Sequence, residues 1–132
     1  MPLLKLQVAT PERSVVETEA DEVELPGAQG YLGVLPGHAP LITLLKTGVL
    51  SYRNAGSREA LAVSAGFAEV SHDHVSVLAD SAETVAQIDA AAAERERAEA
   101  EKEMATASAE TLPGITARFE LAQARLSVAR RS

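Results

Sequence analysis

The sequence contains no cysteine and no tryptophan. Without thiols, a disulfide framework, thiolate catalysis and a cysteine-held metal are all closed to it, and the composition suits a reducing compartment. Aromatics are scarce: Phe67, Phe119, Tyr31 and Tyr52 are all there are. The core must therefore be built from Val, Leu, Ile and Ala, and a stacking platform for single-stranded nucleic acid is not expected. Positive charge is also short, with 12 Lys plus Arg against 19 Asp plus Glu and a formal charge of −7. That balance argues against broad binding to nucleic acid or to anionic lipid headgroups. The amino terminus, "MPLLKLQVATPE", lacks a basic leader followed by an apolar run, so neither a signal peptide nor a transit peptide is expected. What is present is ordinary for a folded chain of 132 residues: 46% apolar and 23% charged. This bounds it to one modest domain, or a small domain with an appendage.

One stretch lacks charge altogether. Leu25 to Leu45 holds no Asp, Glu, Lys or Arg, and its 21 residues meet the length of a membrane span. Its composition excludes that reading. Gly27, Gly30, Gly33 and Gly37 with Pro26, Pro36 and Pro40 would break helical hydrogen bonding repeatedly, which lipid does not forgive. The stretch reads instead as turns joining short strands: Leu25-Pro26-Gly27 closes one, Tyr31 to Leu35 forms another, and Pro36-Gly37 turns the chain again. "GAQGYLG" spaces its glycines like a dinucleotide fingerprint, but no helix or βαβ unit follows, so a phosphate cradle is not expected.

The remainder divides by period. From Leu3 to about Val85 the runs "LLKLQVAT", "SVVETEADEVEL", "GVLSYR", "EALAVSAGFAEVS" and "HVSVLAD" are short, β-branched or alternating, and bounded by turn residues. Many short strands at close spacing imply an antiparallel sandwich or barrel. "RNAGSR", Arg53 to Arg58, reads as a hairpin turn in which Asn54 and Gly56 accept positive φ. After Ile88 the pattern becomes Ala- and Glu-rich and helical, with Asp89 as N-cap. This first helix is expected to reach Glu110, broken by Pro113-Gly114. A second follows from about Ile115, with Ile115, Phe119, Ala122, Leu126 and Ala129 on one face. Asp89 to Glu110 carries a formal −4 and Ile115 to Ser132 a formal +3, which favours the two helices lying together. With so few apolar anchors, the hairpin is expected to be the less stable and more movable half.

Chemistry is sparse. His72-Asp73-His74 holds metal-ligand types, but it sits where a polar turn is expected and no distant ligand set accompanies it, so the turn is preferred. His38 lies in the uncharged loop without a neighbouring nucleophile or carboxylate pair, and packing or an interface suits it better than catalysis. The Glu/Arg run from Glu94 to Glu103 reads as a solvated helix face. No Walker, zincin or nucleophile-elbow motif occurs.

The combination does resemble a known family. "VELPGAQGYLGVLPGHAPLITLLKTGVL", Val23 to Leu50, with "VSAGFAEVSHDHVSVLAD" and the late "RLSVA", Arg125 to Ala129, is similar to the ε subunit of F-type ATP synthases, called δ in mitochondria, over essentially the whole chain. The resemblance implies a flattened β-sandwich of about ten short antiparallel strands over residues 1–87, followed by a regulatory antiparallel helical hairpin over 88–132. It implies a non-catalytic rotor subunit of the central stalk, coupling ion-driven rotation to ATP synthesis. Gly27, Gln29, Gly30, Tyr31, Leu32, Gly33, Pro36, Gly37 and His38 would meet the γ subunit and the c-ring. In an extended state Arg118, Arg125, Arg130 and Arg131 would meet acidic groups of the β subunit, with α nearby, and block ATP hydrolysis.

Relatives that bind ATP at the hairpin carry a motif beginning I/L-D-x-x-R-A. Ile88 and Asp89 match it, and Arg125 keeps one basic position of the second helix. Ala92 and Leu121 stand where arginines belong, so ATP is not expected as a regulatory ligand, and no other cofactor or metal is implied. The implied location is peripheral, on the cytoplasmic face of a bacterial cell membrane, attached only through the complex. Compact and extended resting states are both compatible with the sequence. Taken without the resemblance, the periods suit a generic, non-catalytic β-sandwich interaction module with a helical tail.

Overall fold

A computed structural model describes residues 2–131; Met1 and Ser132, the outer ends of the two expected segments, lie outside the described residues. Ten strands, β1 (Leu4–Ala9), β2 (Ser14–Ala20), β3 (Glu22–Gly27), β4 (Gly30–Val34), β5 (Leu41–Leu45), β6 (Gly48–Asn54), β7 (Ser57–Val63), β8 (Gly66–Val70), β9 (His74–Ala79) and β10 (Ala82–Thr84), precede a 3₁₀ turn at Val85–Gln87. Two helices follow, α1 (Ala90–Met104) and α2 (Leu112–Arg131). The strands form one sheet in the order β10-β7-β6-β3-β5-β8-β9-β1-β2, with β4 joined to β3.

Alternation builds the core. In β1, Leu4, Leu6 and Val8 point inward and Lys5 and Gln7 outward. They meet Val23, Leu25, Leu50, Leu61, Val63, Val70, Val75 and Val77 in a single cluster that contains no buried aromatic. The strands are not all antiparallel as expected: β1 runs parallel to β9, with Leu6 beside Val75 and Val8 beside Val77. Period-two alternation is the same in either direction, so the pattern carries no information on orientation.

Two runs that read as single strands are each two. "SVVETEADEVEL" breaks at Asp21, whose backbone N–H donates to Arg53 O at 2.9 Å and whose carboxylate accepts from Arg53 Nε at 3.0 Å. This corner moves the chain from its pairing with β1 to a pairing with β6. "EALAVSAGFAEVS" breaks at Ser64-Ala65, where Ser81 N–H donates to Ser64 Oγ at 2.7 Å. β5, Leu41 to Leu45, is a strand that the turn-rich reading of the uncharged stretch absorbed. Pro26 and Gly27 remain inside β3 instead of closing it, and the chain reverses at Ala28-Gln29. Pro26 is tolerated there because only its carbonyl is used: it accepts from Lys46 N–H at 2.9 Å. In the Arg53–Arg58 hairpin, positive φ falls on Ala55 (52°) and Gly56 (83°), not on Asn54, which pairs with Ser57. A two-residue loop with both centres at positive φ matches the right-handed strand twist.

The helical half begins as expected, with Asp89 Oδ1 accepting from Ala92 N–H at 3.0 Å. It departs at the connection. α1 ends at Met104, six residues before Glu110, and Pro113-Gly114 is no breaker but lies in the first turn of α2. Proline is tolerated in that turn because its missing N–H would have no helical acceptor anyway. The reversal itself is made by Ser108 and Thr111, each backbone N–H donating to the other's hydroxyl at 3.1 and 3.2 Å.

α2 also has a second apolar side. Ala124 and Val128 pack on Val49 and Ala62 of the outer sandwich face, flanked by Val85 and Ile88. This explains why Val49, Leu50 and Ser51 are buried consecutively in β6: one face meets the core and the other meets the helix. The hairpin therefore rests compactly on the sandwich.

Candidate functional site

Period-two strands usually place polar side chains outward, and β5, β8 and β9 break that rule in register. Leu44 of β5 pairs with Phe67 of β8, which pairs with Leu78 of β9. All three point away from the core and are exposed, Leu44 by 69% and Phe67 by 46%. Ile42, two residues before Leu44, is 71% exposed. A contiguous exposed apolar row on an otherwise acidic chain is a candidate interaction surface.

The β3–β4 hairpin borders this row. Gly27, Gln29, Gly30, Tyr31 and Leu32 line an open groove whose opposite wall is Leu41, Ile42, Thr43 and Leu44. Tyr31 is 58% exposed, yet its hydroxyl is fixed, accepting from Val49 N–H at 3.2 Å. Gly48 makes that approach possible: a Cβ there would lie 2.9 Å from Pro26 Cβ and 3.1 Å from the Tyr31 hydroxyl. Of the sequence-named residues, then, Gly27 to Leu32 converge. Gly33, Pro36, Gly37 and His38 lie outside the groove. Gly37, at φ +89°, donates its N–H to His72 O at 2.7 Å, tying this loop to the β8–β9 turn, and His38 N–H donates to Leu35 O at 3.2 Å. Ile42, Leu44, Phe67 and Leu78 were not singled out from sequence; the available signal was apolar residues at both parities of "LITLL" and "GFAEV".

The His72-Asp73-His74 segment is the turn expected of it, with His74 opening β9. His74 Nδ1 lies 2.7 Å from Ser71 Oγ and 3.2 Å from Asp73 Oδ1, and Nε2 lies 3.4 Å from Glu69 Oε1. Hydrogen bonding to Asp73, then to Glu69, raises the His74 pKa above the ordinary histidine value, and the same bond lowers that of Asp73.

The arginines of α2 separate into two pairs. Arg118 donates to Glu96 at 2.6 Å and to Glu103 at 2.9 Å, bridging α2 to α1 and holding the Glu103 carboxyl below its usual range. Arg125 donates to Glu83 of β10 at 2.6 Å, fastening α2 to the sandwich. Arg130 and Arg131 are exposed at the end of the helix. Arg97 pairs within α1, with Glu94 at 2.8 Å and with Glu101. Of the nucleotide-motif residues, Ile88 packs in the second apolar cluster, Asp89 caps α1 and Arg125 holds Glu83. Among the described residues no helix is long and apolar enough to cross a membrane, and the uncharged stretch forms strands.

Comparison with known proteins gives a consistent result. The family model described as "ATP synthase, Delta/Epsilon chain, beta-sandwich domain" matches residues 3–85. The chain is 56% identical over 86 residues to the ATP synthase epsilon chain of Solibacter usitatus, covering 65% of this chain and 64% of that relative. Against the epsilon chain of Myxococcus xanthus it is 44% identical over 124 residues, 94% of this chain and 88% of the relative. The match to the Solibacter relative thus spans slightly less than two thirds of that protein's length. In three dimensions the chain superposes on one from the mitochondrial ATP synthase of Euglena gracilis with a TM-score of 0.85 at 19% identity, covering 98% of this chain and 82% of the other. A chain from the central stalk/c-ring structure of the Tetrahymena thermophila mitochondrial ATP synthase matches with a TM-score of 0.53 at 11% identity, covering 64% and 68%. At those identities the likeness concerns the fold.

Proposed function

The chain belongs to the ATP synthase delta/epsilon family, and from that premise we propose that it is a non-catalytic central-stalk subunit of an F-type ATP synthase, coupling ion-driven rotation to ATP synthesis. The observation that carries the reading is the exposed apolar row of Ile42, Leu44, Phe67 and Leu78 beside the 27–32 groove, on the sandwich that the family model matches. An acidic protein gains nothing from such a row in water, and a large partner that covers it gains its burial. The sandwich, residues 1–87, uses this side and the 27–38 loops against γ and the c-ring. The subunit stands at the cytoplasmic face of a bacterial membrane and is held there by its neighbours.

The hairpin, residues 88–132, is the regulatory part. In the compact state Arg118 and Arg125 are engaged by Glu96, Glu103 and Glu83. Extension exchanges these carboxylates for those of a β subunit, with α adjacent, and brings Arg130 and Arg131 with them, inhibiting ATP hydrolysis. Lifting α2 off the sandwich gives up the apolar contact of Ala124 and Val128 with Val49 and Ala62, on the order of 3 kcal/mol, and freeing Arg118 from Glu96 and Glu103 also parts α2 from α1. The ion pairs are partly exposed and add little. A partner shifts the population to the extent that its contacts in the extended state outweigh those given up in the compact one.

The docking face is tested by Leu44→Asp and Phe67→Asp. Both side chains are exposed, so folding should be kept. Binding to a stalk preparation lacking this subunit should fall about a hundredfold, as expected for an interface anchor lost and a charge buried. Undiminished binding by both variants would remove the face from the assembly.

A further inference from the structure

An open strand edge offers unpaired N–H and C=O groups to any other chain, and folded proteins usually blunt such edges with charge, brevity or cover. Two of the edges here are blunted. β2 carries Glu17 and Glu19 and pairs with β1 through an irregular register at Val8/Ala9. β10 is three residues long, runs directly into the 3₁₀ turn and is fastened to α2 by Glu83 and Arg125. β4 is different. Its five residues, Gly30-Tyr31-Leu32-Gly33-Val34, include no charged side chain, and among the described residues it pairs with β3 alone.

The register identifies which backbone groups face out. Pro26 O accepts from Lys46 N–H, and Ala28 N–H donates to Leu44 O, each at 2.9 Å. The backbone groups of Pro26 are therefore spent toward β5 and not toward β4. Pro26 stands opposite Tyr31, so this is a non-hydrogen-bonded pair, and the Tyr31 N–H and C=O point away from β3. The alternation repeats two residues on: Glu24 pairs with Ser51 of β6 on one side and stands opposite Gly33 on the other. Gly33 N–H and C=O therefore also point outward. Among the described residues, and apart from its own chain neighbours, no heavy atom lies within 4 Å of where a Gly33 Cβ would sit, which leaves an unfilled gap on the outer surface between Tyr31, 58% exposed, and Leu35, 54% exposed.

We propose that the outer edge of β4 is a strand-addition site, where an extended, uncharged segment of a neighbouring stalk subunit pairs with the backbone of Tyr31 and Gly33. The added strand places a large apolar side chain over Gly33, between Tyr31 and Leu35, in the way that a cross-strand side chain covers an exposed glycine. The absence of charge from Leu25 to Leu45 suits an uncharged occupant, and the edge adjoins the apolar groove with Ile42 and Leu44. The identity of the neighbour rests on the stalk-subunit reading, whereas the geometry of the edge does not.

Two substitutions at one position separate backbone pairing from shape. Gly33→Pro removes the outward N–H without touching the β3 ladder, since proline is accepted on strand edges. Gly33→Ala keeps the N–H and adds one methyl. With the full chain and a stalk preparation lacking this subunit, Gly33→Pro should weaken binding about fivefold or more, while Gly33→Ala binds within about twofold of the natural chain. Hydrogen exchange on the natural chain supplies a measurement that needs no variant: the Tyr31 and Gly33 amides should exchange at least about tenfold more slowly in the complex than alone, as expected of newly paired amides. Equal binding by Gly33→Pro, equal losses in both variants, or unslowed exchange each overturn the proposal. A concentration-dependent dimer of the free chain, abolished by Gly33→Pro, would assign the edge to a second copy and overturn it as well. If the natural chain does not bind the stalk at all, the reading of function fails first and takes the occupant with it.

Discussion

At the scale of single residues, the hairpin at Arg53–Arg58 shows what sequence could and could not locate. The turn was legible from Asn54 and Gly56, but the strand register places Asn54 in a pair with Ser57 and leaves Ala55 at φ 52°. An L-residue other than Asn or Gly is strained there, so Ala55→Asn should stabilise the fold by about 0.5–1 kcal/mol, read as a higher denaturant midpoint with an unchanged slope. Gly66 carries the opposite constraint, since a Cβ would lie 2.1 Å from Leu78 O. Gly66→Ala should cost about 3 kcal/mol by the same measurement. His74, between Asp73 and Glu69, has its pKa raised in the folded state. A raised folded-state value makes its stabilising contribution complete below about pH 6.5, and that contribution is lost as pH rises through the folded value. The stability difference between the natural chain and His74→Gln should accordingly be largest in mild acid and fall to a lower plateau in mild alkali. A constant difference across that range would rule the His74 contacts out as its source.

The elements were legible in proportion to how local their causes are. The start of α1 depends on Asp89 and the alanines after it, and both lie in one window of sequence. Its end at Met104 depends on the Ser108–Thr111 turn, and Pro113-Gly114, which reads as a breaker, is compatible with a helix start. The parallel pairing of β1 and β9 and the corner at Asp21 arise from contacts across the fold, to which alternation is blind. The second apolar side of α2 was missed because Ala124 and Val128 are only two residues, and small ones. They nevertheless hold the hairpin down. Val128→Ala should destabilise the compact state by about 1–2 kcal/mol, seen as faster amide exchange throughout α2 with the strands unaffected. Arg125→Ala should act on the same helix more weakly, and less still in high salt, because its pair with Glu83 is partly exposed. Titration of the chain with ATP should give no saturable binding in the micromolar range, since Ala92 and Leu121 supply no guanidinium. Micromolar affinity would mean that the remaining basic groups suffice.

For the molecule as a whole, charge and apolar surface are divided between two purposes. The sandwich turns an apolar row and an uncharged groove to one side, and the hairpin folds its basic second helix against the acidic groups of the first helix and β10. The uncharged stretch from Leu25 to Leu45 marked the groove and the loops in the sequence. The row completed by Phe67 and Leu78 could not be seen without the strand register that aligns them with Leu44. The proposed division of labour is that the sandwich binds the stalk and the hairpin restrains the catalytic head. Its most direct test is ATP hydrolysis by an enzyme depleted of this subunit and then supplied with either the full chain or residues 1–87. Both should restore assembly, and hydrolysis should be severalfold higher with residues 1–87 than with the full chain. Equal hydrolysis with the two, both being bound, would contradict it.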